Sequence, residues 1–294
     1  MIPAHKWAAP KLYLMQPSFW AKLGGLLKLA AVSVYESGCL GIAKGAAYSA
    51  LLSFFPVLTT VAAVLVEAQA EAVSRTIARL LYDVVPPGTE DVVRTLFIVQ
   101  GERPTWLLIV AIVLAVWAAS GAIMSLMEGF HAVYHNSRSR SFVHERGIAM
   151  LLVFTSALPV LAASALIVFG KRGEQQLIAW LGVNAADWRA WVVLAGQVVT
   201  FLLASASIVL GTALVYYLGP NRKHSFRLVL PGALLATLLW LLATLGFSWY
   251  VRHVANYNVL YGSVGAGLAL LVWMYVLSVI VLFGCAFNAA YEKD

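Results

Sequence analysis

Glu128, His131 and His135 fall at i, i+3 and i+7 of the stretch SGAIMSLMEGFHAVYH, which puts them on one side of a helix. Two imidazoles and a carboxylate in that arrangement can hold a divalent cation or pass a proton. The spacing is not HExxH and no further row of ligands accompanies it, so ordinary polar packing at a membrane interface competes with both chemistries. Neither a metal nor a cofactor is expected. The chain has no GxSxG elbow, P-loop or Walker-type lysine, and His5, His131, His135, His144, His224 and His253 are mostly scattered. Metal-assisted RNA hydrolysis needs clustered His and Asp ligands to activate water, and no such run occurs. The chain does not read as an enzyme.

A second group of polar residues sits inside apolar sequence. In KGAAYSALLSFFPVLTT, Ser49, Ser53, Pro56 and Thr60 line roughly one helical face, and Pro56 removes a helical hydrogen bond and predicts a kink at mid-depth. Such a face suits a substrate path or a gate, and helix–helix packing explains it equally well. Gly41, Gly45, Ser49 and Ser53 recur every four residues as a small stripe on which another helix, or a second copy of the chain, could seal. Gln197 is expected to hydrogen-bond from helix to helix, and Asn258 and Tyr261 give the turn VRHVANYNVLYGS a dense set of polar and aromatic groups. Arg222, Lys223 and Arg227 in GPNRKHSFR are placed to hold anionic headgroups, each basic residue contributing ~1 kcal/mol near an anionic surface. The competing reading of that loop is plain topology.

These groups must be carried by membrane helices. Six long apolar runs, about 45–66, 105–127, 147–169, 191–218, 228–250 and 263–290, each exceed the ~20 residues that cross ~30 Å of hydrocarbon. In lipid, a spanning segment must satisfy its own backbone, so each run is a helix. Hydrophobic residues make up 62% of the 294 and charged residues 11%, with a mean hydropathy of +0.84. The prediction is all-α: a polytopic membrane protein of six transmembrane helices, with an N-terminal interfacial helix and a short helical outer cap. Residues 1–44 form the N-terminal segment, 45–290 the membrane domain and 291–294 the tail. Residues 18–40 put Trp20, Leu23, Leu27, Ala30 and Val34 on one face, as suits a helix lying on the membrane surface or one packed on the bundle. The cap is expected within 67–104, broken by the PPG at 86–88.

Charge sets the expected orientation. With both termini inside, the inner segments hold 12 Lys plus Arg against five acidic residues, and the outer segments hold eight of each. The formal charge of +7 therefore falls on one side, which places both termini in the cytoplasm. Membrane lipids, anionic ones included, are the expected partners, rather than nucleic acid. Cys39 and Cys285 are too few for a disulfide framework, and no cleaved signal peptide is expected.

Over roughly residues 20–292 the chain resembles the YihY/BrkB family of bacterial inner-membrane proteins. The resemblance rests on KGAAYSALLSFFPVL, on GPNRKHSFRLVLPGALLATLLWLLATLGFSWYV and on NYNVLYGSVGAGLALLVWMYVLSVIVLFGCAFNAA. It implies six helices with both termini inside. Members were once labelled ribonuclease BN, and transport roles that include lipid export have been proposed for relatives. Two positions depart from the family pattern. Ala286 stands where the last helix usually carries an acidic residue, and His131 stands where many relatives have Asn. A carboxylate that could serve ion coupling in relatives is therefore missing from this chain. The expected function is handling of a lipid or another amphiphile by a transporter or flippase-like protein. The alternatives are a non-transporting scaffold for envelope integrity, or a small-solute or ion carrier.

Overall fold

The structure is a computed structural model that describes residues 17–67, 105–136, 141–158, 186–222, 225–253 and 262–293. Every described element is a helix. In chain order these are α1 (Pro17–Glu36), α2 (Cys39–Glu67), α3 (Thr105–Val133), α4 (142–158), α5 (Ala186–Leu218), α6 (Phe226–His253) and α7 (Gly262–Lys293). Among the described residues, five helices are long and apolar enough to cross a membrane: Cys39–Thr60, Ile109–Val133, Val193–Leu218, Phe226–Tyr250 and Gly267–Lys293. The run predicted at 147–169 is described as far as 158, within α4. The predicted outer cap, beyond the last residue of α2, lies outside the described residues.

The first predicted helix and the first span meet earlier than their apolar patterns suggested. α1 stops at Glu36 because Gly38 takes a left-handed backbone (φ 66°), which glycine adopts without steric cost. The Gly38 N–H donates to Tyr35 O at 3.2 Å, and Gly38 O accepts from Gly41 N at 2.9 Å to open α2. α2 thus begins at Cys39, six residues before the predicted span, and runs through Pro56 without a break.

α7 is the hub, packing against α6, α2, α1 and α3, while α2 runs along α3 and α5 along α6. Its inner residues Leu282, Cys285, Ala286, Phe287 and Asn288 are buried. α1 buries Leu26, Ala30 and Val34, with Leu23 and Leu27 half-buried and Trp20 exposed. Of the two readings of this helix, packing on the bundle describes its contacts.

The small stripe is split within the chain. Gly41 and Gly45 are exposed, with open space where a side chain would stand, and α2 buries Cys39, Ala43, Ala46, Ala47 and Ser53 instead. The chosen face is the one whose alanines can approach α7 and α1 while still covering apolar surface.

One end of the bundle gathers the polar connections. There the Asn136 side-chain amide donates to Asn221 O at 3.5 Å, the Arg222 guanidinium lies 5.4 Å from the Tyr134 ring centre, and Arg222 pairs with Glu292 at 3.3 Å. This is the basic end. Burial also holds the Tyr134 phenol there well above its usual range.

Candidate functional site

A cleft of about 330 Å³ opens between the last turns of α3 and the start of α4. Its position follows from how α3 ends. His135 sits in the left-handed region (φ 52°), its N–H donates to Ala132 O at 3.2 Å, and Asn136 N donates to His131 O at 3.0 Å. That paired closure is a Schellman cap with His in the place glycine usually takes. α4 lies beside α3, with Glu145 next to His131 and Arg146 reaching Met124 and Trp117. Met124, Met127 and Phe142 supply apolar wall, and Glu128, Glu145 and Arg146 supply charge.

Arg146 is the residue that distinguishes the cleft. Its Nη2 donates to Trp117 O at 2.8 Å, its Nη1 to Met124 Sδ at 3.1 Å, and its guanidinium carbon lies 4.2 Å over the Trp117 ring. Trp117 stands sixteen residues before the end of α3, about 24 Å along the axis. The cation therefore reaches far along an apolar span, towards its middle. Placing a charge there is costly, and proteins retain such charges mainly where they act. The guanidinium Nε is buried and has no acceptor among the described residues. Beside it, His131 Nδ1 lies 3.8 Å from Glu145 Oε1, with the two side chains 6% and 12% exposed. This is an ion pair only when the imidazole is protonated, and 3.8 Å is too long for a hydrogen bond.

Two of the three candidates for metal or proton chemistry, Glu128 and His131, line the same cleft, and His135 stands apart from them. Glu128 is exposed at the cleft, His131 is buried, and His135 lies beyond the helix end in the cap. The i+4 relation of the two histidines fails because the helix stops at Val133. No group of three His, Cys, Asp or Glu side chains suited to a metal occurs among the described residues. His131 instead faces Glu145 of α4, a pairing that no spacing within one helix could have revealed.

The other predicted positions are dispersed. Ser49 and Pro56 are half-buried. Ser53 is buried with its hydroxyl donating to Ala50 O at 2.9 Å, within its own helix. Thr60 is buried, and its Oγ1 has no partner among the described residues. None of these four lines the cleft. Gln197 is exposed on α5. Arg222 is half-neutralised by Glu292, and Arg227 is exposed at the start of α6. Lys223, Asn258 and Tyr261 lie outside the described residues.

Sequence reading also missed the knot that sets the spacing of α6 and α7. Asn288, 2% exposed, accepts from Gly232 N at 2.6 Å and donates to Val229 O at 3.1 Å. Pro231 opens the first turns of α6, and the amide of Asn288 fills the opening. A side chain at Gly232 would collide with Gly284 O and with Asn288, so the two backbones meet through paired glycines. Tyr216 caps the arrangement by donating to Val281 O at 2.7 Å, edge-on to Phe130 at 5.7 Å.

The family model described as Virulence factor BrkB matches residues 31–294. The putative ribonuclease-like protein YfkH of Bacillus subtilis is 30% identical over 192 residues, covering 65% of this chain and 68% of that protein. A UPF0761 membrane protein of Photobacterium profundum is 30% identical over 265 residues, covering 85% and 76%. Another, from Tolumonas auensis, is 25% identical over 295 residues, covering 97% and 89%. No solved structure matches. With a multi-pass helical architecture and a family match over residues 31–294, the chain belongs to the BrkB family of membrane proteins.

Proposed function

We propose that this protein is a transporter or flippase-like protein for an amphiphile, with the α3–α4 cleft as the place where the headgroup engages. The observation that carries the reading is Arg146, a cation held deep beside an apolar span with its Nε turned to no acceptor among the described residues. An amphiphile fits this setting because its tail can remain in lipid while only the head needs polar lining. Residues dedicated to ion coupling would have to be intramembrane titratable groups, and the acidic residue of the last helix is replaced by Ala286. The protein is read as non-enzymatic, including for the RNA chemistry in YfkH's name. The excess of Lys and Arg at the basic end supports a cytoplasmic side for that end and for both termini, in a bacterial inner membrane.

Photolabelling tests the site. A phospholipid carrying a diazirine close to its glycerol, reconstituted with the protein, should label Met124, Met127 and Phe142 well above their share of exposed surface. A scaffold would be labelled instead on its lipid-facing residues, such as Phe201, Leu202 and Leu203, in proportion to exposure. The second pattern, with the cleft unlabelled, would sink the proposal.

A further inference from the structure

We infer that α1 lies flat in the headgroup layer at the basic end of the bundle, with the bilayer surface as partner to a face that α7 leaves uncovered. The inference does not depend on the α3–α4 cleft. α1 is 20 residues long, yet it is not one of the described helices apolar enough to cross a membrane. Only Ser37 and Gly38 join it to α2, and the crossing segment of α2 begins at Cys39. The C-terminal end of α1 is thus fixed at the level where the hydrocarbon begins. Despite that short joint, α1 leans on α7 rather than folding back along α2. Its Leu26, Ala30 and Val34 share one buried cluster with Cys39 of α2 and with Cys285, Phe287 and Ala289 near the end of α7. α1 is therefore held at the membrane boundary both by its end and by its side.

At about 100° per residue, the side chains of α1 fall into three sectors. Leu23, Leu26, Leu27, Ala30 and Val34 form the sector turned to the bundle. Beside it, Trp20, Ala21, Gly24, Ala31, Val32 and Tyr35 form a second sector that is apolar and exposed throughout, with Lys28 its one charge. The third sector carries Lys22, Ser33 and Glu36, with Leu29 its one large apolar side chain. A helix standing in water would leave the second sector wet, and a helix sunk in lipid would desolvate Lys22 and Glu36. Lying in the interface satisfies both, with the second sector in the boundary between headgroups and acyl chains and the third in water. Trp20 and Tyr35, 61% and 77% exposed, stand near opposite ends of the second sector, about 22 Å apart along the axis. Indole and phenol rings settle at this depth, so the two anchor the helix along its length rather than at one end. The stem of Lys28 lies along the same boundary and its ammonium reaches headgroup phosphates. α1 in this way joins the bilayer surface to α7, the helix on which most of the bundle packs.

Nitroxide scanning of the full chain in vesicles of phosphatidylethanolamine and phosphatidylglycerol tests this directly. Single labels are placed through Ala31→Cys and Tyr35→Cys in the second sector and through Lys22→Cys and Glu36→Cys in the third. All four positions are exposed, so the label need not disturb the fold, and Cys39 and Cys285 are buried away from the reagent. Collision with oxygen, which concentrates in lipid, is compared with collision with a water-soluble nickel chelate. The oxygen-to-nickel ratio should be several-fold higher at 31 and 35 than at 22 and 36, at a depth of about 5–10 Å. Ratios at 31 and 35 as low as those at 22 and 36 would put the second sector in water and overturn the inference. Shielding of 31 and 35 from both reagents would overturn it too, by showing that another part of the chain or a second copy covers that face. Neither result bears on the cleft, so the amphiphile reading stands or falls separately.

Discussion

Asn288→Leu should destabilise the bundle by about 2–3 kcal/mol, measured as a shift in unfolding free energy in mixed micelles. Leucine matches the volume but offers neither the acceptor that holds Gly232 N–H nor the donor that holds Val229 C=O. Each buried polar group left unmatched costs about 1–3 kcal/mol, and partial recapture by the first turns of α6 lowers the sum. Side-chain hydrogen bonds in membrane proteins average only ~0.6 kcal/mol, because alternative partners usually exist. Here the alternatives are few, since Pro231 has already broken the local ladder and the site is sealed by Gly232, Gly284 and Tyr216. Ser120→Ala is the contrast. Its hydroxyl bonds Trp117 O within its own helix, so the change should cost under about 0.5 kcal/mol although the residue is fully buried. Equal effects for the two substitutions would contradict the reading of Asn288 as the link between α6 and α7.

Arg146→Met should separate function from stability. The substitution removes a charge-assisted hydrogen bond, worth about 1.5–3 kcal/mol, and a cation–π contact worth about 0.5–2 kcal/mol. It also removes a cation from the span, a relief of about 2.5–3.5 kcal/mol on insertion scales. These terms nearly cancel, and methionine keeps the unbranched apolar stem against Trp117. The unfolding free energy should therefore stay within about 1 kcal/mol of wild type, whereas lipid retention should fall roughly tenfold or more. A large loss of stability with retention intact would make Arg146 a structural clamp. Arg146→Lys should not rescue retention, because an ammonium cannot hold Trp117 O and Met124 Sδ and still offer a third donor in the same plane.

The membrane character of the fold was legible because lipid imposes one rule on every spanning segment, and the runs in α2, α3, α5, α6 and α7 obey it over their whole lengths. Helix ends were less legible. The break at Gly38 hides in an apolar pattern that continues on both sides, and the cap at His135 places a histidine in a conformation that favours glycine. The site was obscured for a third reason. Glu145 and Arg146 sit at the edge of an apolar run, where charged residues read as loop, and only the packing of α4 carries them against α3. Gly41 and Gly45 pose the converse problem, because their four-residue spacing marks a face that is exposed in the single chain. Periodicity shows that a face exists and leaves its partner to the tertiary structure. The signal available in the sequence for the α3–α4 cleft was the ER pair at 145–146 directly abutting an apolar run, and the signal for the α6–α7 knot was Pro231-Gly232 with Gly284 and Asn288 on a facing helix.

Lipid translocation by the reconstituted full chain tests the central claim most directly. Vesicles containing tail-labelled fluorescent phosphatidylethanolamine would be exposed to membrane-impermeant dithionite, which quenches only the outer leaflet. Wild-type protein should make the inner-leaflet pool accessible far faster than protein-free vesicles do, and Arg146→Met should return the rate to that background. A wild-type rate equal to background, in protein that still unfolds cooperatively, would contradict amphiphile transport by this chain.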